Sequence, residues 1–149
     1  MGRNPIYASV ARELAVLFCQ TNTTLVYGGG NIGLMGIMAD EVLKNNGSVI
    51  GVIPDFLVQR EVGHQGLTRL EIVNSMHERK KRMADLSDVF IAMPGGMGTL
   101  DELTEILTWK QLKLIDQPVG LLNTNAFFNP LINQMQLMVE SGFLKEEKF

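Results

Sequence analysis

The 149-residue chain has the length of one domain, and its 46% hydrophobic content is enough for a real core. A net charge of −3 gives no broad basic face for general nucleic-acid binding, so a phosphate ligand would have to be held by local donors. The lone cysteine, Cys19, excludes an internal disulfide, and its apolar neighbours suggest a buried, inert thiol. No apolar run approaches the roughly 20 residues of a membrane span, and no signal-peptide pattern opens the chain. These features predict a cytoplasmic protein with no membrane partner.

In chain order, the periodicity predicts a helix from Pro5 to Gln20, with Ile6, Val10, Leu14 and Leu17 on one face. A short strand, Thr24 to Tyr27, leads into Gly28-Gly29-Gly30. A helix from Gly33 to Asn45 stops at Asn46-Gly47. Ser48 to Ile53 reads as a buried strand ended by Pro54. Asp55 to Thr68 has little period and reads as a loop with room for one helical turn. Then follow a strand from Leu70 to Val73, a helix from Ser75 to Leu86, and a strand from Val89 to Met93. A second glycine loop precedes a helix from Thr99 to about Leu114. Pro118 to Leu122 is a strand, and Asn129 to Ser141 is the last helix.

Strands that alternate with helices and carry runs such as VIGVI and VFIAM predict a parallel sheet covered on both faces. The right-handed crossover rule makes this a Rossmann-like, doubly wound sheet in one α/β domain, 1–149. No repeat, linker or low-complexity segment interrupts it. The first predicted element is a helix, whereas such folds normally begin with a strand.

Two glycine loops follow strands. Gly28-Gly29-Gly30-Asn31-Ile32-Gly33 contains G-x-G-x-x-G and opens a helix. Its glycines, with Gly29, Gly30 and Gly33 foremost, let the backbone approach an anion, and the helix start directs N–H groups at it. A dinucleotide site would also need an acid about 20 residues on, and Asp55 sits off the expected strand end. A tight turn without a ligand is the plainer alternative. Pro94-Gly95-Gly96-Met97-Gly98-Thr99 repeats the strand–loop–helix pattern. In an open α/β sheet both loops would lie at the ligand-binding edge, facing one crevice.

The helix from Ser75 opens with a capping box, Ser75 to Glu78. Met76, Met83, Ala84 and Leu86 share a face, while Glu78, Lys81, Arg82 and Asp85 fall opposite and should be solvated. Arg79 and Lys80 fall on the apolar side. Either both snorkel to solvent, or Arg79 meets a carboxylate or phosphate and Lys80 a phosphate. Thr99 and Glu102 match a second capping box, which gives Glu102 a structural role; at a glycine crevice its carboxylate would also be placed for chemistry on a sugar. Asp101 points about 100° away. His64 and His77 have no ligand-like cluster, so a metal site is not expected. No G-x-S-x-G nucleophile elbow occurs.

The motifs Tyr27 to Gly36, Met76-His77-Glu78-Arg79-Lys80 and Pro94-Gly95-Gly96-Met97-Gly98-Thr99-Leu100-Asp101-Glu102 resemble the Lonely Guy family, the cytokinin riboside 5′-monophosphate phosphoribohydrolases. The resemblance covers essentially the whole chain. It implies a Rossmann-like fold, a homodimer and no cofactor. Arg79 and Glu102 stand at the catalytic positions. Met76, Lys80, Glu61, Thr108 and the loop Gly95, Gly96, Met97, Gly98, Thr99, Leu100, Asp101 match substrate-binding positions. Such sequences are often labelled lysine decarboxylases, but nothing here suggests a pyridoxal phosphate site. Family members begin with a strand and a glycine-serine turn without counterpart here. The first, central strand is therefore expected to be missing from this chain.

The expected reaction is hydrolysis of the N-glycosidic bond of an adenosine 5′-monophosphate, N6-modified or not, to free base and ribose 5-phosphate. Glu102 would stabilise the oxocarbenium-like ribose and orient water, and Arg79 would keep Glu102 ionised or contact the substrate. No residue is evident as the acid for the departing base. A nucleotide-binding or molybdenum-cofactor carrier without turnover is the alternative, and a dinucleotide-dependent oxidoreductase a third reading.

Overall fold

The computed structural model describes residues 2–58, 63–64 and 66–145. The chain divides into two compact units, Met1–Ser87 and Asp88–Phe149. Both are α/β, and every strand ladder is parallel.

In the first unit the strands are β1 (Leu25–Tyr27), β2 (Val49–Pro54) and β3 (Arg69–Val73), paired in the order β1-β2-β3. The helices are α1 (Ile6–Gln20), α2 (Gly33–Lys44), the one-turn α3 (Asp55–Val58) and α4 (Met76–Leu86). The continuous apolar run of β2 marks the middle strand: Val49, Val52 and Ile53 are fully buried. Each such side chain contributes roughly 1.5–3 kcal/mol by leaving water. Ala11 and Ala15 let α1 lie close on α2, whose Met38, Ala39 and Val42 complete the core. α2 ends where Asn46 takes a left-handed φ of 59° and the Gly47 N–H bonds the Val42 carbonyl. Cys19, expected to be buried, is only half-buried, with its thiol on the Val42 carbonyl at 3.5 Å.

The second unit holds β4 (Phe90–Ala92), α5 (Met97–Gln111), β5 (Val119–Leu121), a short 3₁₀ turn (Thr124–Ala126) and α6 (Asn129–Glu140). β4 and β5 pair in parallel, joined by a crossover through α5. Among the described residues, Leu103 of α5, Phe128 and Pro94 are its buried apolar side chains.

The predicted order of strands and helices holds throughout. Among the described residues the strands pair as a three-stranded sheet in the first unit and a two-stranded sheet in the second. The strand expected to stand first in the order is not among the described elements, of which α1 is the first. No helix among the described residues is long and apolar enough to cross a membrane.

Candidate active site

In the first unit β1 runs into Gly28, Gly29 and Gly30, all buried. Gly28 and Gly29 each have their own reason to be glycine. A Cβ on Gly28 would collide with the Arg79 guanidinium, 2.9 Å from its Cζ. Gly29 takes a φ of +75°, and a Cβ there would lie 3.1 Å from Ile53 Cβ. Gly33 also has φ +75° but faces open space, so its requirement is conformational. α2 starts at Gly33 behind Ile32, with no side chain capping its first N–H groups.

α4 starts differently. Ser75 Oγ accepts the Glu78 N–H at 3.1 Å, so Ser75 is the predicted N-cap. The Glu78 carboxylate reaches one residue further back than a capping box requires, accepting from the Asn74 N–H at 2.8 Å. On this anchored helix Arg79 is buried, 5% exposed, with Nη1 donating to Met76 Sδ. The snorkelling alternative is therefore wrong for Arg79. Lys80 is half-buried and Met76 half-buried. Arg82, expected to be solvated, is partly exposed and also clamps Glu71 of β3 through Nε at 2.6 Å and Nη2 at 3.1 Å. This bond from Arg82, with the charge of Arg69 beside it, holds the Glu71 carboxyl below its ordinary pKa. Tyr27, at the end of β1, is pushed upward by burial and then by the Asp40 charge.

In the second unit Pro94 is buried, but Gly95, Gly96, Met97 and Gly98 are all exposed. α5 begins at Met97, with Gly96 in extended backbone (φ −98°, ψ −154°) as N-cap and no capping side chain. The predicted Thr99 cap is thus corrected. Glycine needs no side chain to take the extended N-cap conformation, so the helix starts two residues earlier. Thr99 lies inside the first turn, its side chain over Gly95. Glu102 comes a turn too late to close the helix start and is half-buried. Leu100 is half-buried and Asp101 exposed.

The sequence model of the family described as "Possible lysine decarboxylase" matches residues 35–149. The rice (Oryza sativa subsp. japonica) cytokinin riboside 5′-monophosphate phosphoribohydrolase LOG is 44% identical over 146 residues, 98% of this chain and 60% of its own. Arabidopsis thaliana LOG1 is 46% identical over 143 residues, 96% of this chain and 67% of its own. The Rhodococcoides fascians protein of the same activity name is 42% identical over 144 residues, 96% of this chain and 73% of its own. The chain belongs to the Lonely Guy family. It spans about three fifths of the length of the rice relative.

Solved structures similar to this Lonely Guy chain include the Chlamydomonas reinhardtii molybdenum cofactor carrier protein, with TM-score 0.70, 22% identity, and 90% of this chain and 77% of that one covered. The molybdenum cofactor binding protein of Rippkaea orientalis gives TM-score 0.68 at 24% identity, covering 93% and 77%. At such identities the likeness shows the α/β fold alone. Among the residues assigned from the Lonely Guy motifs, the first unit brings Gly29, Gly30, Gly33, Met76, Arg79 and Lys80 onto one loop and one anchored helix. The second brings Gly95 to Glu102 onto one helix start. Thr108 stands apart, nine residues beyond Thr99 and so roughly 13 Å along the helix. Its hydroxyl is bonded back to the Thr104 carbonyl at 2.7 Å. Glu61 lies outside the described residues. His64 gave no signal in the sequence, yet it is buried, and its N–H donates to the Gly29 carbonyl at 3.1 Å.

Proposed function

We propose that this chain hydrolyses the N-glycosidic bond of an adenosine 5′-monophosphate, including N6-modified cytokinin nucleotides, releasing free base and ribose 5-phosphate. One observation carries the reading. α2 and α5 begin without a capping side chain at the N-cap, as α1 and α6 also do, whereas α4 has its own cap in Ser75; what sets α2 and α5 apart is the glycine loop that leads the backbone into their open N–H groups. Uncapped N–H groups at the positive end of a helix dipole suit an anionic group such as a 5′-phosphate. The names of the relatives support the same substrate class.

Breaking the C1′–N9 bond puts positive charge on the ribose. Glu102, half-buried near the start of α5, supplies the carboxylate that stabilises this charge and takes a proton from the attacking water. Water oxygen forms the new bond to C1′, and the bonding pair leaves with the base, which is protonated from solvent. Arg79 supplies a fixed cation for the nucleotide, and Lys80 a second one. Gly29, Gly30, Gly33, Glu61, Met76, Gly95 to Asp101 and Thr108 complete the proposed substrate contacts. We further place the protein in the cytoplasm as a single functional domain and as a homodimer, using the α5 stripe Leu100, Leu103, Ile106, Leu107 and Trp109. A sedimentation mass of one chain at micromolar concentration would count against the dimer.

The deciding experiment incubates the protein with AMP and with isopentenyl-adenosine monophosphate and measures free base and ribose 5-phosphate. Glu102→Gln keeps size and removes charge, so turnover should fall roughly 10²-fold or more with the fold intact. Asp101→Asn, the neighbouring charge on another face, should do far less. Near-normal hydrolysis by a folded Glu102→Gln protein would reject the mechanism.

A further inference from the structure

The sequence offers no partner for His64, but the fold gives it three. Its main-chain N–H donates to the Gly29 carbonyl at 3.1 Å, next to the bridge between Gly30 and Gly63. Its ring Nε2 lies 2.8 Å from Oδ1 of Asp40, on α2. Its ring Nδ1 accepts the Gly66 N–H at 3.1 Å. A ring nitrogen that accepts carries no proton, so the neutral imidazole has its hydrogen on Nε2 and donates it to Asp40. Both nitrogens are thereby committed, and the side chain is only 10% exposed. Such a histidine has no free proton to give and no free lone pair with which to take one. It is built to hold things in place.

What it holds is specific. One end of the residue grips the carbonyl of Gly29, inside the glycine loop. The other grips α2 two turns beyond the uncapped start of that helix. Loop and helix start are the two parts whose N–H groups must converge on one anion, and the intervening Asn31 and Ile32 are exposed. A brace across this stretch fixes the distance between them before any ligand arrives, which lowers the ordering cost of binding. Asp40 itself is exposed, so its carboxylate is not required by the core and is free to serve the ring.

We propose that the Asp40–His64 pair is a positioning device for phosphate capture: it presets the Gly28–Gly30 loop against the start of α2. The proposal rests on the phosphoribohydrolase reading and extends it to residues outside the family motifs quoted above. The pair takes no part in breaking the bond. It acts through the loop, so its loss weakens binding of the phosphorylated substrate more than it slows the chemical step.

The test compares His64→Ala, His64→Gln, Asp40→Ala and the double alanine variant in the whole chain. For His64→Ala the KM for AMP should rise about tenfold or more while kcat stays within about threefold, and the preference for AMP over adenosine should shrink. Glutamine can donate to Asp40 and accept from Gly66, so His64→Gln should recover most of the affinity. Asp40→Ala removes only the bond shared with the ring, so it should reproduce most of the His64→Ala effect, and the double variant should be no worse than His64→Ala alone, which already lacks that bond. A fall in kcat with KM unchanged, an equal loss on AMP and adenosine, or additive effects in the double variant would overturn the proposal. Because Asp40 is exposed, Asp40→Ala should fold even where His64→Ala does not, and it then decides alone. Calorimetric binding of ribose 5-phosphate gives a separate readout. If the wild type binds it but hydrolyses no AMP, the enzymatic reading fails. The brace then stands or falls on whether Asp40→Ala weakens that binding.

Discussion

Gly28–Gly30 and Gly95–Gly98 each follow a strand and lead into an uncapped helix, yet they are glycine-rich for different reasons. The first loop is buried and crowded by its own unit: Arg79 lies against Gly28, and Ile53 and Leu70 against Gly29. The second is exposed, and a Cβ at Gly96 or Gly98 would meet nothing in its own unit. Internal packing therefore explains glycine at Gly28 and Gly29 but not at Gly96 or Gly98. The difference separates a loop shaped by the fold from one whose shape suits something the unit itself does not supply, such as an approaching phosphate.

The largest effect expected from this contrast is that of Gly28→Ala. The new methyl group must displace a buried guanidinium, so the variant should lose about 3 kcal/mol of stability, read by urea unfolding, together with AMP hydrolysis. Unchanged stability would show that Arg79 does not need the space over Gly28. Gly98→Ala should do the opposite to the fold. Gly98 lies within α5, its φ is not positive, and alanine is the better helix former by about 0.5–1 kcal/mol. The variant should be as stable as the wild type or slightly more so, yet its KM for AMP should rise roughly tenfold. An unaffected KM would remove the ligand explanation for the second loop.

The same contrast shows what could be read from the sequence. Alternating apolar periods gave the order of strands and helices, and both glycine loops were visible as motifs. Ser75 was recognisable as a cap because cap and first turn are adjacent in sequence. What escaped depends on partners far along the chain or on backbone conformation. Arg79 stood on the apolar side of its helix, but only the close approach of Gly28, 51 residues earlier, decides that it is buried. Arg82 was assigned to the solvated face because its partner Glu71 lies on another element. His64 finds Asp40 across 24 residues, with no spacing rule to announce it. The start of α5 was misplaced because Gly96 caps through its backbone, whereas Thr99 offered the side-chain pattern that usually marks a cap. That error had a consequence: it read Glu102 as the N3 residue of a capping box, whereas the helix start lies a turn earlier.

The two helix starts can be compared directly. Ser75→Ala removes a hydroxyl that accepts the Glu78 N–H and should cost about 1 kcal/mol in thermal or urea unfolding. Thr99→Val removes a hydroxyl that caps nothing at the start of α5, and valine has nearly the same helix propensity. Its stability should stay within about 0.5 kcal/mol of the wild type. Equal losses in the two variants would restore Thr99 as a cap and blur the distinction between α4 and α5.

The smallest effect concerns how firmly α4 carries Arg79 against the first loop. The Arg82–Glu71 clamp ties α4 to β3, and the bond from Arg82 lowers the Glu71 pKa in the folded chain. A carboxyl depressed on folding stabilises the native state at pH values above its unfolded pKa. That contribution disappears as the pH falls through the ordinary carboxylate range and then through the depressed folded value, because the folded chain must finally take up the proton as well. The wild type should therefore be slightly more stable than Glu71→Gln at pH 7, and the two should converge on acidification. The advantage should also shrink in about 1 M salt, since Arg82 is partly exposed and the pair is screened. The measurement is urea unfolding of both proteins from pH 7 down to about pH 3. An advantage that persists or grows in acid would mean that Glu71 holds α4 by packing rather than by charge. In that case the seat of Arg79 on Gly28 would owe nothing to this ion pair, and the first loop would depend for its shape on core contacts alone.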